Sequence, residues 1–428
     1  MAVPEPSSPT LLLRARAVVP VSGRPIADGA VLISGNRIVA TGRWRDLSSS
    51  HGCQEIDLGE VALLPGLVNA HCHLDYTSMA GLFPPPKVFT DWLKLITTTK
   101  AGWTYSDYAE SWLSGARMLA RTGTTTVGDI EAVPELLPEV SGATPLRVFS
   151  FLEMIGITGR RAPHAVLGEA VGLITSLGEQ LRCPMGLSPH APYSTTPELL
   201  RLSGQAARRR GWRVVTHVAE SALEHEMIAH GRGEMFEWLR RNSRDMSDCG
   251  LGSPVQHLER CGLLGENLMA VHANYLGEGD AELLGKRRAH VAHCPRSHHY
   301  FRHAPFPLRK LMKQGVNICL GTDSLATVYK TRRQTVELDM FEEMRGLASE
   351  DSTLPAKEIL RMATVNGARA LGISGQIGEI SQGALADVIA VPFGGRITAV
   401  HDAVLHHKGT VAASMIDGKW VVGPAAER

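Results

Sequence analysis

The sequence predicts an α/β protein: a (β/α)8 TIM barrel with a small discontinuous β-sandwich domain assembled from the N- and C-terminal segments. Three observations carry that expectation. Eight apolar, β-rich runs recur between residues 63 and 375, stretches of helical periodicity separate them, and the two chain ends share a different texture of short alternating strands and tight turns. Eight strand–helix repeats imply a closed parallel barrel. Neither end has enough strands to close a core by itself, so the two ends are expected to pair as one unit.

In chain order, Leu11 to Val19 reads as a strand, and Ala30 to Ala40 reads as a hairpin turning at Gly35-Asn36. Residues 1–62 are thus one half of the small domain, 63–375 the barrel, and 376–428 the other half. The eight barrel runs are Leu63 to His71, Thr124 to Ile130, Leu146 to Met154, Met185 to His190, Arg213 to Val218, Leu268 to Asn274, His290 to Cys294 and Asn317 to Thr322. Pro197 to Arg210 and Ala281 to Arg288 are helical by period. The longest connection, Glu220 to Glu266, is rich in charge and glycine and is expected to carry extra helices over one end of the barrel. Ala386 to Val391 is again a strand, and Ala413 to Val422 a hairpin turning at Asp417-Gly418.

A chain of 428 residues exceeds what one hydrophobic core usually serves. Hydrophobic residues at 44% and charged residues at 20% describe an ordinary soluble globule. The net charge of +1 gives no reason to expect nucleic acid or an anionic membrane as partner. Seven scattered cysteines, Cys183 among them, lack metal spacing and suggest a reducing compartment. Residues Met1 to Thr10 lack a leader pattern, and no apolar run approaches the roughly 18 residues of a membrane span. The expectation is a cytoplasmic protein with a small-molecule partner, and a homo-oligomer is left open.

Barrel active sites collect where strands end. His71 and His73 end run one and, being two apart on a strand, share a face, with Cys72 on the other. His217 stands at the end of run five with Glu220 three residues on, His272 at the end of run six, His293 of run seven and Asp323 of run eight. Any one of these can be a satisfied buried histidine or a cap, but five strand ends together point to a metal-ligand and acid–base cluster. Neutral imidazoles suit zinc and also iron.

At these residues the chain resembles the amidohydrolase superfamily, within it the cytosine deaminase, guanine deaminase and chlorohydrolase group. The carrying motifs are Pro65-Gly-Leu-Val-Asn-Ala-His-Cys-His, Ser188-Pro-His-Ala-Pro-Tyr, Thr216-His-Val-Ala-Glu, Val271-His-Ala-Asn, Ala292-His-Cys-Pro-Arg-Ser, Gly321-Thr-Asp-Ser and Asn366-Gly-Ala-Arg-Ala-Leu-Gly. The resemblance implies one catalytic divalent metal, zinc first and iron as the alternative, held by His71, His73, His217 and Asp323. It implies that Glu220, His272 and Asp323 handle protons, and that water activated at the metal releases ammonia from an amino-substituted heterocycle. No lysine ends run four, where binuclear relatives carry one, so a single metal is expected.

The resemblance also makes His190 a substrate contact, against a structural hydrogen bond. Trp92 is a candidate to stack on substrate, or is mere packing. Arg296 is a candidate to grip a substrate carboxylate, or positions its own loop. His293 is expected behind the ligands, and His257, His298, His299 and His303 are left structural. S-adenosylhomocysteine and methylthioadenosine deaminases carry a glutamate where this chain reads Thr97-Thr-Thr-Lys-Ala-Gly102, and an arginine where it has Leu152. Those departures argue against that specificity, and Arg147-Val-Phe-Ser-Phe-Leu-Glu-Met-Ile-Gly looks closer to aminodeoxyfutalosine deaminases. The alternatives are a chlorohydrolase acting on a triazine-like substrate and a catalytically inactive binding protein.

Overall fold

The computed structural model describes residues 10–48, 53–158, 160–181, 184–331 and 333–424; Cys183 and the first nine residues lie outside it. Eight strands follow one another in chain order: β1 (Leu67–Cys72), β2 (Thr124–Glu131), β3 (Arg147–Met154), β4 (Met185–Pro189), β5 (Val214–Val218), β6 (Leu268–His272), β7 (His290–His293) and β8 (Asn317–Leu320). Each pairs in parallel with its sequence neighbours. The ring closes just beyond β8 and β1. Cys72 bridges Asp323, the His73 N–H donates to the Asp323 carbonyl at 3.2 Å, and the Asp323 N–H donates to the His71 carbonyl at 3.1 Å. All eight expected runs are therefore strands, and the closure joins three of the candidate ligands.

Alternate strand positions sort into two cores, as strand geometry requires. Phe149, Phe151, Val215, Met269, Val271, Ala292 and Cys319 fill the barrel and reach Leu371 and Ile377. Val214, Val218, Leu268, Ala270, Val291 and Ile318 pack outward on helical residues such as Leu200, Leu258, Leu284 and Leu311. The helix Pro197–Arg210 shows why the surrounding segments are helical. The Thr196 hydroxyl accepts the Leu199 N–H, proline opens the first turn, three arginines face the C-terminal dipole, and Gly211 at φ 69° ends it. The Glu220 to Glu266 connection carries the expected helices, Ala222–His230, Glu234–Arg241 and Pro254–Arg260.

The first run is longer in the sequence than in the barrel. Val61–Pro65 is a strand of the other sheet, antiparallel to Val388–Pro392. Gly66 makes the changeover: its N–H donates to the Asp387 carbonyl at 2.9 Å, and a Cβ there would collide with the Thr125 side chain. Both strands are fully buried, so hydrophobicity alone runs through the boundary without a mark.

The terminal segments form one mainly antiparallel sheet of eight strands. Leu13, Ala15, Val31, Ile33, Ile38, Leu63, Val388 and Met415 make its core. The Ile38 N–H donates to the Ala384 carbonyl at 2.9 Å and the Gly383 N–H to the Ile38 carbonyl at 2.8 Å, so the sheet curls back over that core. The expected sandwich takes this curled form. Both predicted hairpins are present; Asp417 and Gly418 turn with φ of 51° and 75°, the pair of left-handed residues a two-residue type I′ turn demands. Arg147 at the start of β3 ties the two sheets together through Asp387, at 3.1 Å. Among the described residues no helix is long and apolar enough to cross a membrane.

Candidate active site

His71, His73 and His217 converge so that one ring nitrogen of each lies within 4.8 Å of the others. The His217 Nδ1 lies 3.0 Å from the His190 carbonyl, which can only accept, so the proton sits on Nδ1 and the Nε2 lone pair faces inward. That Nε2 is 3.4 Å from the Nε2 of His73. Both nitrogens of His71 and the Nδ1 of His73 are buried without a partner. Burial holds His71 and His73 well below the ordinary histidine range and pushes His217 down to about 3, which keeps all three rings neutral. Neutral rings with inward lone pairs and no proton between them fit a divalent cation.

Asp323 completes the cage. Its Oδ1 is 3.9 Å from His71 Nε2 and 3.8 Å from His73 Nε2. Its Oδ2 is held by the hydroxyls of Ser297, at 2.7 Å, and Thr327, at 3.2 Å, which leaves Oδ1 for the cage. Burial pushes this carboxyl up to about 6, with those two hydroxyls opposing the shift.

Glu220 and His272 stand alongside, with His272 Nε2 3.6 Å from Glu220 Oε1. Strand alternation would not put His272 there, because Leu268 and Ala270 belong to the outward core. The backbone turns left-handed at His272, φ 73°, and Ala273, φ 50°, and so re-aims the ring. Ala219, φ 52°, and Asp323, φ 52°, adopt the same costly conformation, so the strain gathers at the site. Glu224 holds the turn after β5. Its carboxylate accepts the N–H groups of Ala219 at 2.9 Å and Glu220 at 2.8 Å, while Asn274 Nδ2 donates to the Glu220 carbonyl at 3.0 Å. Burial, then the charges of Asp323 and Glu224, raise the Glu220 carboxyl well above the usual range.

These groups floor a cavity of about 140 Å³ whose walls include Trp92, Ile96, Lys100, Glu153, Ile155, His190, Tyr193 and Trp238. His190 Nδ1 is 2.6 Å from the Ser194 hydroxyl and its ring is 4.8 Å from that of His217, so it both holds a structural hydrogen bond and borders the cavity. Trp92 likewise borders the cavity while packing edge-on against Phe301 at 5.2 Å, with its Nε1 buried and unpartnered.

Arg296 is a correction. Its guanidinium is bound to the Glu343 carboxylate and to the Glu337 carbonyl, and it does not border the cavity; it positions its own loop. His293 does not stand behind the ligands either. It faces outward, 3.1 Å from Glu350 and stacked on Phe306. His298, left structural above, does reach the site indirectly, since its Nδ1 is 3.1 Å from the Asn274 amide that braces Glu220. Glu224, Ser297 and Thr327 were not singled out from the sequence. Each is a common surface-type residue, and only the folded loops give it a catalytic-loop partner.

Residues 62–421 match the model of the amidohydrolase family. A 5-methylthioadenosine/S-adenosylhomocysteine deaminase of Syntrophobacter fumaroxidans is 34% identical over 392 residues, 87% of this chain and 81% of that protein. The zinc-bound adenosine deaminase structure from Xanthomonas campestris superposes with a TM-score of 0.81 at 26% identity, covering 97% of this chain and 93% of that one. The Helicobacter pylori aminofutalosine deaminase structure gives a TM-score of 0.84 at 21% identity, covering 96% and 100%, a likeness of fold. The relative by sequence thus bears the specificity that the Thr97–Gly102 and Leu152 departures argue against.

Proposed function

The chain belongs to the amidohydrolase family, and from that premise we propose that it is a metal-dependent hydrolytic deaminase of adenine-type nucleosides. The observation that carries the reading is the cage of three neutral histidines closed by Asp323, with the Glu220–His272 pair beside it. His71, His73, His217 and Asp323 would hold one divalent cation, zinc before iron. Bound there, it would act as a Lewis acid and lower the pKa of water toward roughly 7.

The chain's own groups do the rest. Glu220, whose carboxylate burial makes a stronger base than usual, takes a proton in its ionised form from the attacking water and returns it to a ring nitrogen of the base. His272, neutral and held in its strained turn, hydrogen-bonds the attacking oxygen and opposes charge at the tetrahedral carbon. Asp323 passes a proton to the departing amine. One C–O bond forms, the C–N bond breaks, and the products are a keto heterocycle and ammonia. The apolar wall of Trp92, Ile96 and Ile155 supports binding of a flat base and keeps bulk water away.

Glu220→Gln tests this directly, because it keeps size while removing the proton acceptor. The variant is expected to keep its metal and its KM, with kcat lower by about 10²- to 10⁴-fold. A variant that keeps metal and more than a tenth of parental kcat would move the proton transfer to His272 or Asp323.

A further inference from the structure

Glu220 has to aim its carboxylate at the attacking water, yet among the described residues the hydrogen bonds that hold Glu220 are made by its backbone. His272 Nε2, 3.6 Å from the carboxylate, is beyond hydrogen-bond distance. The aim of the side chain therefore depends on how the backbone is held. Its N–H donates to Glu224, on the same turn, at 2.8 Å, and its carbonyl accepts from Asn274 Nδ2, from the loop after β6, at 3.0 Å. The Glu220 carbonyl can only accept, so the Asn274 amide must turn Nδ2 toward it and Oδ1 away. That Oδ1 meets His298 Nδ1 at 3.1 Å, and an amide oxygen requires a donor there. Burial pushes His298 down to about 4, so at neutral pH its ring carries one proton, and this contact puts it on Nδ1. Both Asn274 and His298 are buried, which leaves little water to compete.

His298 stands on the helix Pro295–Tyr300 that follows β7, away from the walls of the cavity. Ser297, just before it, holds the Asp323 carboxylate at 2.7 Å, and Arg296 fixes the helix through Glu343 and the Glu337 carbonyl. One short helix thus reaches both proton-handling carboxylates, Asp323 directly and Glu220 through Asn274. We propose that His298 is a positioning residue of the reaction: its Nδ1–H fixes the Asn274 amide, and that amide fixes the backbone of Glu220 and with it the aim of the carboxylate. The inference rests on the deaminase reading and adds to it a residue outside the cavity on which turnover depends.

The His298 ring also packs against those of His293 and His303, at 5.3 and 5.5 Å, so its bulk and its donor have to be separated. His298→Leu keeps bulk and removes the donor. His298→Asn gives up bulk but keeps an N–H close to where Nδ1 stood, because both nitrogens branch from Cγ. Ammonia release from adenosine, metal content and melting temperature are measured for each on metal-loaded full-length enzyme. His298→Leu is expected to lower kcat by about 10- to 100-fold, the scale of a misplaced reacting group, with metal content unchanged and KM within about twofold. His298→Asn should stay within about threefold of the parental kcat. Added to Glu220→Gln, His298→Leu should cost less than about threefold more, since aim no longer matters for a side chain that cannot take the proton. A full repeat of the single-variant loss in that background would mean that His298 acts on the fold at large, and would overturn the inference. Equal losses in the leucine and asparagine variants would overturn it too. Asn274→Ala cuts the same line one residue nearer Glu220 and must show the same loss and the same absence of a further loss beside Glu220→Gln, so the test stands even where the leucine variant does not fold. A parent that releases no ammonia from any adenine nucleoside would overturn the deaminase reading, whereas additive losses in an active enzyme overturn this inference alone.

Discussion

A histidine coordinates a cation only when neutral, and burial keeps each ring of the cage in that form: His217 falls to about 3. His190 falls to about 3 for the same reason but offers its nitrogens elsewhere, one toward Ser194 and one toward Glu153. His190→Ala should therefore lower kcat/KM on nucleosides by about 10-fold or more while metal content stays at the parental level, measured by kinetics and metal analysis on one preparation. Loss of metal in that variant would place His190 in the coordination set. At this scale the sequence carried most of the cage. His71 and His73 follow from a period of two, and His217 and Asp323 from standing at strand ends. Arg296 could not be decided from the sequence, because an arginine after a strand end reads the same whether its partner is a substrate or Glu343. Glu224 was overlooked because a carboxylate declares its role only through what surrounds it.

The element that sets the chemistry is the turn after β5, held by Glu224. The Glu224 carboxyl is pushed up to about 7 by burial, against the backbone N–H groups of Glu220 and Ala219 that hydrogen-bond to it. Its charge is among the causes that raise Glu220. Removing that charge with Glu224→Gln should let Glu220 ionise at lower pH. Glu220 must be ionised to accept a proton, so activity is present above its pKa and lost as pH falls through it. The acid limb of kcat/KM is thus expected to move to lower pH in the variant, alongside a fall in kcat from the loosened turn; a shift to higher pH would contradict the electrostatic account. Elements were legible to different degrees. All eight barrel strands and both hairpins could be read from period and turn chemistry. The break at Gly66 could not, since it divides two strands of equal burial, nor could the left-handed turn at His272, since alternation would point that ring outward.

Across the whole molecule, the two sheets are clasped by an ion pair between a buried carboxylate and a partly buried arginine. Asp387 is fully enclosed, accepts the Asp417 N–H at 2.7 Å and meets Arg147 at 3.1 Å. Arg147→Ala leaves that carboxylate unpaired and should lower stability at neutral pH by about 3 kcal/mol, read from urea unfolding, with little change in activity per folded molecule. Burial already raises the Asp387 carboxyl above its ordinary 3.8, and losing the arginine raises it further. The cost of ionised Asp387 is therefore full above its folded pKa, fades as pH falls through that value, and is gone below the ordinary 3.8, where the carboxyl is protonated in both states. A penalty that grew on acidification would contradict this clasp. The proposed reaction needs the histidine–Asp323 cage, the Glu220–His272 pair and the cavity above them together, and the measurement that tests it most directly is ammonia release from adenosine by protein of known metal content. The expected result is about one divalent metal per chain, turnover abolished by chelation and restored by zinc or iron. Full turnover by metal-free protein, or metal-loaded protein that releases no ammonia from any adenine nucleoside, would contradict it.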